Sequence, residues 1–224
     1  MKVKQRMTPN PITVSPTTTH SEAVALMREN HIRRLPVLDK HGKVIGMVSH
    51  KDLLSTSPSP ATTLSVYEIY TLLDELTVDK FMTRPVLAVS EDCSIANAAS
   101  FMIEHDISCL PVMRGDELVG IITETDIFKA FVEALGGGEP GLRVDLVLTE
   151  KRGALADLTS AISGAGGNIV SLTTFHGEDS QHAELSIKER GADPQQLHAA
   201  LDQLAGVKVL DIRPGGQDAP VSLG

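Results

Sequence analysis

Two segments of this chain, residues 7–54 and 81–128, are copies of one short pattern. Each begins with Met-Thr, passes through a helical apolar stretch to Leu-Pro-Val, and ends in Gly, two apolar residues, Ser or Thr, and an Asp three residues later. The offset between the copies is 75 residues up to the prolines and 74 from the glycines onward. An internal repeat should be read before any local motif, and two copies favour a closed pair with pseudo-twofold symmetry over a solenoid.

Each copy has the pattern of a βαββα unit. A short strand, over 12–14 in the first copy and 86–88 in the second, leads to a polar helix start. In the first copy Thr19 and Glu22 have the spacing of a capping box. Apolar residues at helical spacing follow, and the Leu-Pro-Val and Gly segments predict two strands joined by a tight turn. The Ser/Thr-x-x-Asp sequence predicts the start of a second helix.

The copies are joined by residues 55–80. From Ser55 to Thr63 this segment is rich in Ser, Thr and Pro, which predicts a loop. Residues 64–76 carry apolar side chains at helical spacing. We expect this helix to pack across the repeat pair, with a partner-binding helix as the alternative.

A different pattern follows the second repeat domain, 81–135. The Gly-rich residues 136–141 predict a flexible linker. Residues 142–213 then read as βαββαβ, the order of a ferredoxin-like domain. The Gly- and Pro-containing residues 214–224 predict a disordered tail. The predicted fold class is therefore α/β (α+β), with two domains of different plan.

Composition and charge restrict the partners that the chain can have. The formal charge is −9 and the Lys and Arg residues are dispersed, which argues against binding nucleic acid or an anionic membrane. No segment reaches the roughly 18 apolar residues of a membrane span, and the basic N-terminus has no apolar stretch behind it. Two cysteines without a Cys-x-x-Cys spacing suit a reducing compartment. We expect a cytoplasmic protein.

The Gly-h-h-Ser/Thr-x-x-Asp frame after Leu-Pro-Val, where h is apolar, resembles the CBS domain in its usual tandem form. That resemblance implies adenosyl effectors (AMP, ADP, ATP or S-adenosylmethionine) bound in the cleft between two sheets, and no cofactor. A carboxylate at a helix start can accept from ribose hydroxyls, and the preceding Ser or Thr can hold a phosphate oxygen. The same spacing is also an ordinary helix N-cap. The residues concerned are Ser49 and Asp52, and Thr123 and Asp126.

The two copies differ in charge near the Leu-Pro-Val strand. Arg33 and Arg34 precede it in the first copy, where the second has Ser108 and Cys109. Because phosphate binding needs cationic donors, we expect the phosphate end of a ligand to lie near Arg33, Arg34 and Lys51. One site should then bind a nucleotide well, and the other should be weak or prefer a less charged ligand. A solvated surface pair of arginines is the alternative. The predicted nucleotide-binding residues are Thr13, Arg33, Arg34, Pro36, Ser49, Lys51, Asp52, Pro111, Thr123 and Asp126.

Residues 142–213 are similar to the ACT domain, through the strand 143–148, the Gly153-Ala154-Leu155 turn and the Gly167-Asn168-Ile169 strand start. This resemblance implies homodimerisation and, in some members, an amino-acid effector. The expected effector residues are Glu150, Gly153, Ala154 and Asn168. The chain has Glu150-Lys151-Arg152 where amino-acid-binding members commonly carry Asn and Pro, so dimerisation alone is equally well supported.

The sequence predicts no catalytic residue and no metal ligand. The eight histidines are scattered, and no phosphate-binding loop or nucleophile elbow is present. His50 beside Asp52 is the single local pair that could act in catalysis. The order CBS–CBS–ACT resembles acetoin-utilisation accessory proteins. We therefore expect a regulatory protein acting on an unidentified target protein, with a scaffold subunit or an acetoin-pathway enzyme as alternatives.

Overall fold

The structure, a computed structural model, describes residues 1–56, 65–176 and 181–215. The chain divides into two compact units, Met1–Phe128 and Lys129–Gly224. Most of the predicted loop 55–63 and of the predicted tail 214–224 lies outside the described residues. None of the helices in the described ranges is long and apolar enough to cross a membrane.

Each repeat supplies a helix, a β-hairpin and a second helix. In chain order the elements are β1 (Thr8–Pro9), α1 (His20–Glu29), β2 (Arg34–Leu38), β3 (Val44–Ser49), α2 (His50–Thr56), α3 (Val66–Glu75), β4 (Val89–Ser90), α4 (Ile95–Glu104), β5 (Cys109–Arg114), β6 (Glu117–Thr123) and α5 (Glu124–Ala134). Both hairpins are antiparallel. Each has a register shift at the equivalent place, directly after the Val of Leu-Pro-Val and still within the strand. The predicted helix–hairpin–helix order is present in both copies.

Two helices begin with the capping device that the sequence indicates. The Thr19 hydroxyl accepts from the N–H of Glu22 at 3.2 Å, and the Glu22 carboxylate accepts from the N–H of Thr19 at 2.8 Å. Ser65 and Glu68 form the same reciprocal pair at the start of α3. This confirms the capping box, which satisfies N–H groups that have no partner within the helix.

The helix between the repeats, α3, packs against α1. The backbone N–H of His20, at the start of α1, donates to the carbonyl of Leu76 at 2.8 Å. The outer side of α3 is in solvent, since Tyr67 is 86% exposed and Leu72 is 50% exposed. The amphipathic helix is present, and Tyr67 and Leu72 are largely uncovered among the described residues.

The Met-Thr segment that opens each repeat pairs with the opposite repeat. Strand β1 runs antiparallel to β6, which places Thr8 opposite Ile121. In the same way Thr83 forms a bridge with Met47 of β3. The unit is therefore built from two sheets, each of which contains backbone from both repeats.

The strands predicted over 12–14 and 86–88 are shorter than expected or displaced. Val14 forms a single parallel bridge with Val37 of β2. In the second repeat the corresponding strand is β4, which lies parallel to β5. The difference arises because the preceding Met-Thr segments leave for the opposite sheet, so the chain joins its own sheet only after they end.

Two glycines make room for this exchange. A methyl group at Gly46 would lie 2.9 Å from Cγ of Met82, and one at Gly120 would lie 3.0 Å from Cγ of Met7, with the sulfur closer still in both cases. Each glycine belongs to one repeat and each methionine to the other. The Gly of the repeated pattern is thus a packing requirement, because a side chain there would occupy the volume of the methionine.

The second unit contains β7 (Leu142–Thr149), α6 (Ala154–Gly164), β8 (Asn168–His176), β9 (His182–Arg190), α7 (Pro194–Asp202) and β10 (Val207–Pro214). Its elements follow in the order βαββαβ, and the sheet order is β10-β7-β9-β8 with antiparallel neighbours. Alternate residues of the central strands form its core with both helices, including the fully buried Leu146, Leu158, Ile187 and Leu197.

The Gly-rich segment after α5, for which composition predicted a flexible linker, begins with a hydrogen-bonded turn. The N–H of Gly136 donates to the carbonyl of Glu133 at 3.0 Å, and that of Gly137 donates to Val132 at 2.7 Å. Gly136 has a φ of 70° and is buried against Lys188. A glycine in the left-handed conformation directly after a helix is a common helix stop, so this segment forms a hydrogen-bonded turn.

We predict that Gly46→Ala destabilises the first unit, because the added methyl group must displace the buried Met82. Overpacking of this kind costs about 1–3 kcal/mol. The measurement is chemical denaturation of the full chain. The substitution Gly164→Ala serves as control, since Gly164 ends α6 with open space around it.

A double-mutant cycle with Met82→Ala identifies the cause. If the methionine is responsible, the effect of Gly46→Ala on the free energy of unfolding is smaller when Met82 is absent. Equal effects in both backgrounds would show that the glycine is required for another reason.

Candidate functional site

The junction between β3 and α2 holds a carboxylate in a fixed position. Oδ2 of Asp52 accepts from the backbone N–H of Ser49 at 2.7 Å and from its hydroxyl at 2.6 Å. The N–H of Asp52 donates in turn to the Ser49 hydroxyl at 3.2 Å. This is a reciprocal cap, so the ordinary structural interpretation of the motif holds.

The second repeat reproduces the arrangement between β6 and α5. Oδ2 of Asp126 accepts from the Thr123 N–H at 2.9 Å and from its hydroxyl at 2.7 Å. In both repeats the cap uses one oxygen of the carboxylate. Within the part of the chain that the structure describes, Oδ1 of neither aspartate accepts a hydrogen bond. Each side chain is half-buried and keeps an acceptor for a further partner.

Asp52 lines a cavity of about 580 Å³. Its own repeat contributes the end of β3 and Arg34. The opposite repeat contributes the Met-Thr segment with the residues after it, 83–87, and the turn between α4 and β5, 105–109.

Asp126 lines a second cavity, of about 490 Å³, with the same construction in reverse. Its own repeat supplies the end of β6, the start of α5 and Ser108. The opposite repeat supplies Thr8 and the turn between α1 and β2, residues 31–34. The two cavities are therefore related by the symmetry of the repeat, and each one is completed by the other copy.

The cationic residues are distributed differently from the expectation. Arg33 lines the Asp126 cavity, and Arg84 lines the Asp52 cavity. Arg34 lines both. The sequence analysis grouped Arg33, Arg34 and Lys51 at the phosphate end of one ligand, because all three belong to the first copy.

Four of the predicted nucleotide-binding residues lie away from the walls of these two cavities. Among the described residues, those lining the two cavities do not include Thr13, Pro36, Lys51 or Pro111. Pro36 and Pro111 are buried within β2 and β5, and Lys51 is exposed on α2. The residues that sequence reasoning missed are Thr8 and Thr83, together with the turn residues His31 and Asp106. The repeated Met-Thr pair was a visible signal for the two threonines.

Two candidate side chains, His50 and Cys109, are poorly suited to catalysis at these cavities. His50 lines a separate depression between α1 and α2, and the Asp52 cavity does not include it. The catalytic pair considered from the sequence is therefore not assembled. Cys109 lines the Asp52 cavity, and burial raises the pKa of its thiol to about 12. A thiol with this pKa stays protonated near neutral pH and is a weak nucleophile.

The second unit has a cavity of about 490 Å³ at the turn between β7 and α6. Of the four residues expected to bind an effector, Glu150, Gly153 and Ala154 line this cavity, whereas Asn168 does not. Asn168 is exposed at the first position of β8. Oε1 of Glu150 lies 3.1 Å from Nδ1 of His176, a residue that the sequence analysis did not select.

Comparison with known proteins gives relatives for the repeat pair. The chain is 36% identical over 140 residues to an uncharacterized protein of Methanocaldococcus jannaschii, covering 61% of this chain and 33% of that protein. It is 34% identical over 144 residues to the chloroplastic CBS domain-containing protein CBSX1 of Arabidopsis thaliana, covering 56% of this chain. The chain spans a third of the length of the first relative and 61% of the second.

Among solved structures, the crystal structure of a Vibrio cholerae protein assigned to acetoin utilization (AcuB) is 33% identical, with a TM-score of 0.50. The match covers 61% of this chain and 93% of that chain. The sequence model of the CBS domain matches residues 3–59 and 78–133, about half of the chain. These two matches contain both copies of the repeat and both aspartates. The chain belongs to the CBS domain family.

Proposed function

We propose that the chain is a non-catalytic regulatory protein that binds an adenosyl ligand in the cavities of its first unit. The observation that carries this proposal is that the two oxygens of each aspartate have different surroundings. One oxygen of Asp52 and of Asp126 caps a helix, and the other has no described partner at a cavity wall. We propose in addition that the chain regulates an unidentified target protein in the cytoplasm.

A ribose suits a carboxylate held in this way. Its two neighbouring hydroxyls are donors, and hydrogen bonds to a charged acceptor are stronger than neutral ones. Because the Ser49 and Thr123 caps already fix the carboxylates, binding loses little side-chain entropy. Volumes of about 490 and 580 Å³ are within the usual range for small-molecule sites, roughly 300–1,000 Å³.

The charges of the cavities support a phosphorylated ligand such as AMP. Each cavity has one arginine of its own, Arg33 or Arg84, and both have access to Arg34. Each also has a second carboxylate, Glu124 in one and Asp106 in the other. The balance is similar on both sides, so we propose a ligand in each cavity instead of the single strong site expected from the sequence.

For the second unit we propose an ACT domain that dimerises the chain and senses an amino acid. The support is the βαββαβ order and a cavity at the Gly153 turn that carries charges of both signs. Glu150 would bind the α-amino group, and Lys151 and Arg152 are cations near the place for the carboxylate. Dimerisation without an effector remains the alternative, since Asn168 lies outside the cavity.

A scaffold subunit with no effector is the competing function. It is favoured by the caps themselves, since they give Asp52 and Asp126 a purely structural role.

The similarity to an acetoin utilization protein supports a role for this chain in acetoin utilization, with the reaction performed by a partner protein.

We predict that Asp52→Asn with Asp126→Asn weakens adenosine binding while leaving the fold intact. The amide oxygen of Asn can still accept the cap, but its NH₂ group cannot accept from a ribose hydroxyl. Loss of hydrogen bonds to a charged acceptor, about 1.5–3 kcal/mol, corresponds to roughly 10- to 150-fold in affinity. Calorimetry with adenosine measures the affinity, and thermal unfolding tests the fold.

The matched control is Glu22→Gln. It makes the same acid-to-amide change in the Thr19 capping box, which is outside both cavities. Adenosine affinity should be unchanged in this variant. Equal affinity in the wild type and the double variant would show that adenosine does not use these carboxylates. Absence of binding to the wild type would leave the scaffold interpretation.

We predict that an amino acid raises the melting temperature of the full chain and that Glu150→Gln removes the increase. A ligand that binds only the folded state must stabilise it. The experiment screens the twenty amino acids by thermal shift and repeats the active ones on the variant. If none has an effect on the wild type, the second unit has no amino-acid effector, and mass measurement in solution then tests dimerisation alone.

A further inference from the structure

The Asp52 and Asp126 cavities share a wall. Their lining residues have two members in common, Arg34 and Ser108. Nη2 of Arg34 donates to Oγ of Ser108 at 2.6 Å, and Nη1 donates to the backbone carbonyl of Arg33 at 2.9 Å. One guanidinium, held by one hydroxyl, therefore lies between the places proposed for two ligands.

The pseudo-twofold symmetry fails at this wall. In the sequence repeat, Cys109 is the position equivalent to Arg34, and Ser108 is the position equivalent to Arg33. A symmetric pair would have offered each cavity its own arginine at this position. Here the thiol of Cys109 has a pKa of about 12 because of burial, so it supplies no charge. Among the described residues that line both cavities, Arg34 is the one cation.

Arg34 is also without a permanent counter-ion. No carboxylate in the described parts of the chain lies within ion-pair distance of it, and it is half-buried. Its present hydrogen bonds go to a hydroxyl and a carbonyl, which are neutral acceptors. A phosphate oxygen is a stronger acceptor for a guanidinium than either of these, so a phosphorylated ligand would draw Arg34 to its own side.

From this we infer that Arg34 couples the two cavities, so that a phosphorylated ligand in one cavity weakens the binding of a phosphorylated ligand in the other. The inference rests on the proposed function. The first ligand to bind takes the donors of Arg34, and the second must bind without them. A ligand that has no phosphate does not use Arg34, and its two binding events are independent.

We take the size of the effect from the usual range of allosteric couplings. Allosteric couplings of this kind typically change affinity by about 5- to 150-fold. For each cavity we compare two AMP affinities, one with the other cavity occupied and one with the other cavity disabled. We expect the first affinity to be at least about tenfold weaker than the second. Adenosine should show no such difference.

Calorimetry on the full chain tests this with single-site variants as the reference. Asp52→Asn and Asp126→Asn each disable one cavity, and their AMP affinities give the intrinsic constants of the two sites. The wild-type titration is then compared with the curve expected from two independent sites having these constants. This comparison separates coupling from a simple difference between the sites.

The decisive variant is Arg34→Ala, introduced into the wild type and into both single-site variants. Coupling through Arg34 predicts that the AMP titration of the variant fits independent sites within about threefold. Direct repulsion between two phosphates would instead persist without Arg34. Arg34→Met, which keeps the apolar stem of the side chain, provides a second variant if the alanine change disturbs the fold.

The outcomes are distinct. The inference is supported if the second AMP binds more weakly than independent sites predict, if adenosine shows no such weakening, and if either Arg34 variant abolishes it. Independent AMP binding in the wild type, or a weakening that survives the loss of Arg34, overturns the inference while the proposed function stands. If neither adenosine nor AMP binds to the wild type, the proposed function itself fails, and the coupling fails with it.

Discussion

The reciprocal packing of Met7 on Gly120 and of Met82 on Gly46 is the constraint on which the first unit depends. Each methionine belongs to one repeat and fills space that the glycine of the other repeat leaves open. The adjacent threonines carry the backbone onto the opposite sheet, at Ile121 and Met47. Neither repeat can bury its methionine alone, so the exchange ties the two copies into one unit.

The cavities are a consequence of that exchange. Since the Met-Thr segments cross to the opposite sheet, each cavity has one wall from each repeat. Local capping then supplies the chemistry, because Ser49 and Thr123 orient the carboxylates of Asp52 and Asp126 while using half of each. The structural and the binding interpretations of the motif are thus compatible. One oxygen stabilises the helix start, and the other remains for a ligand.

How much could be predicted depended on the distance over which an interaction acts. The Thr19–Glu22 cap, the hairpins and the βαββαβ order of the second unit follow from residues a few positions apart, and all were predictable. The assignment of Arg33 to Asp126 was not, because it depends on an exchange of segments between the repeats. The turn at Gly136 is a different case, because its hydrogen bonds are local and the prediction there rested on composition alone. Composition favoured flexibility, while hydrogen bonds to Val132 and Glu133 close the turn.

The most direct test of this account is a crystal structure of the full chain with adenosine. We expect the ribose hydroxyls to lie within about 3.2 Å of Oδ1 of Asp52 or Asp126, a normal hydrogen-bond distance, with Oδ2 still bound by Ser49 or Thr123. Adenosine bound elsewhere, or both cavities without adenosine at a concentration that saturates the protein in solution, would contradict the account.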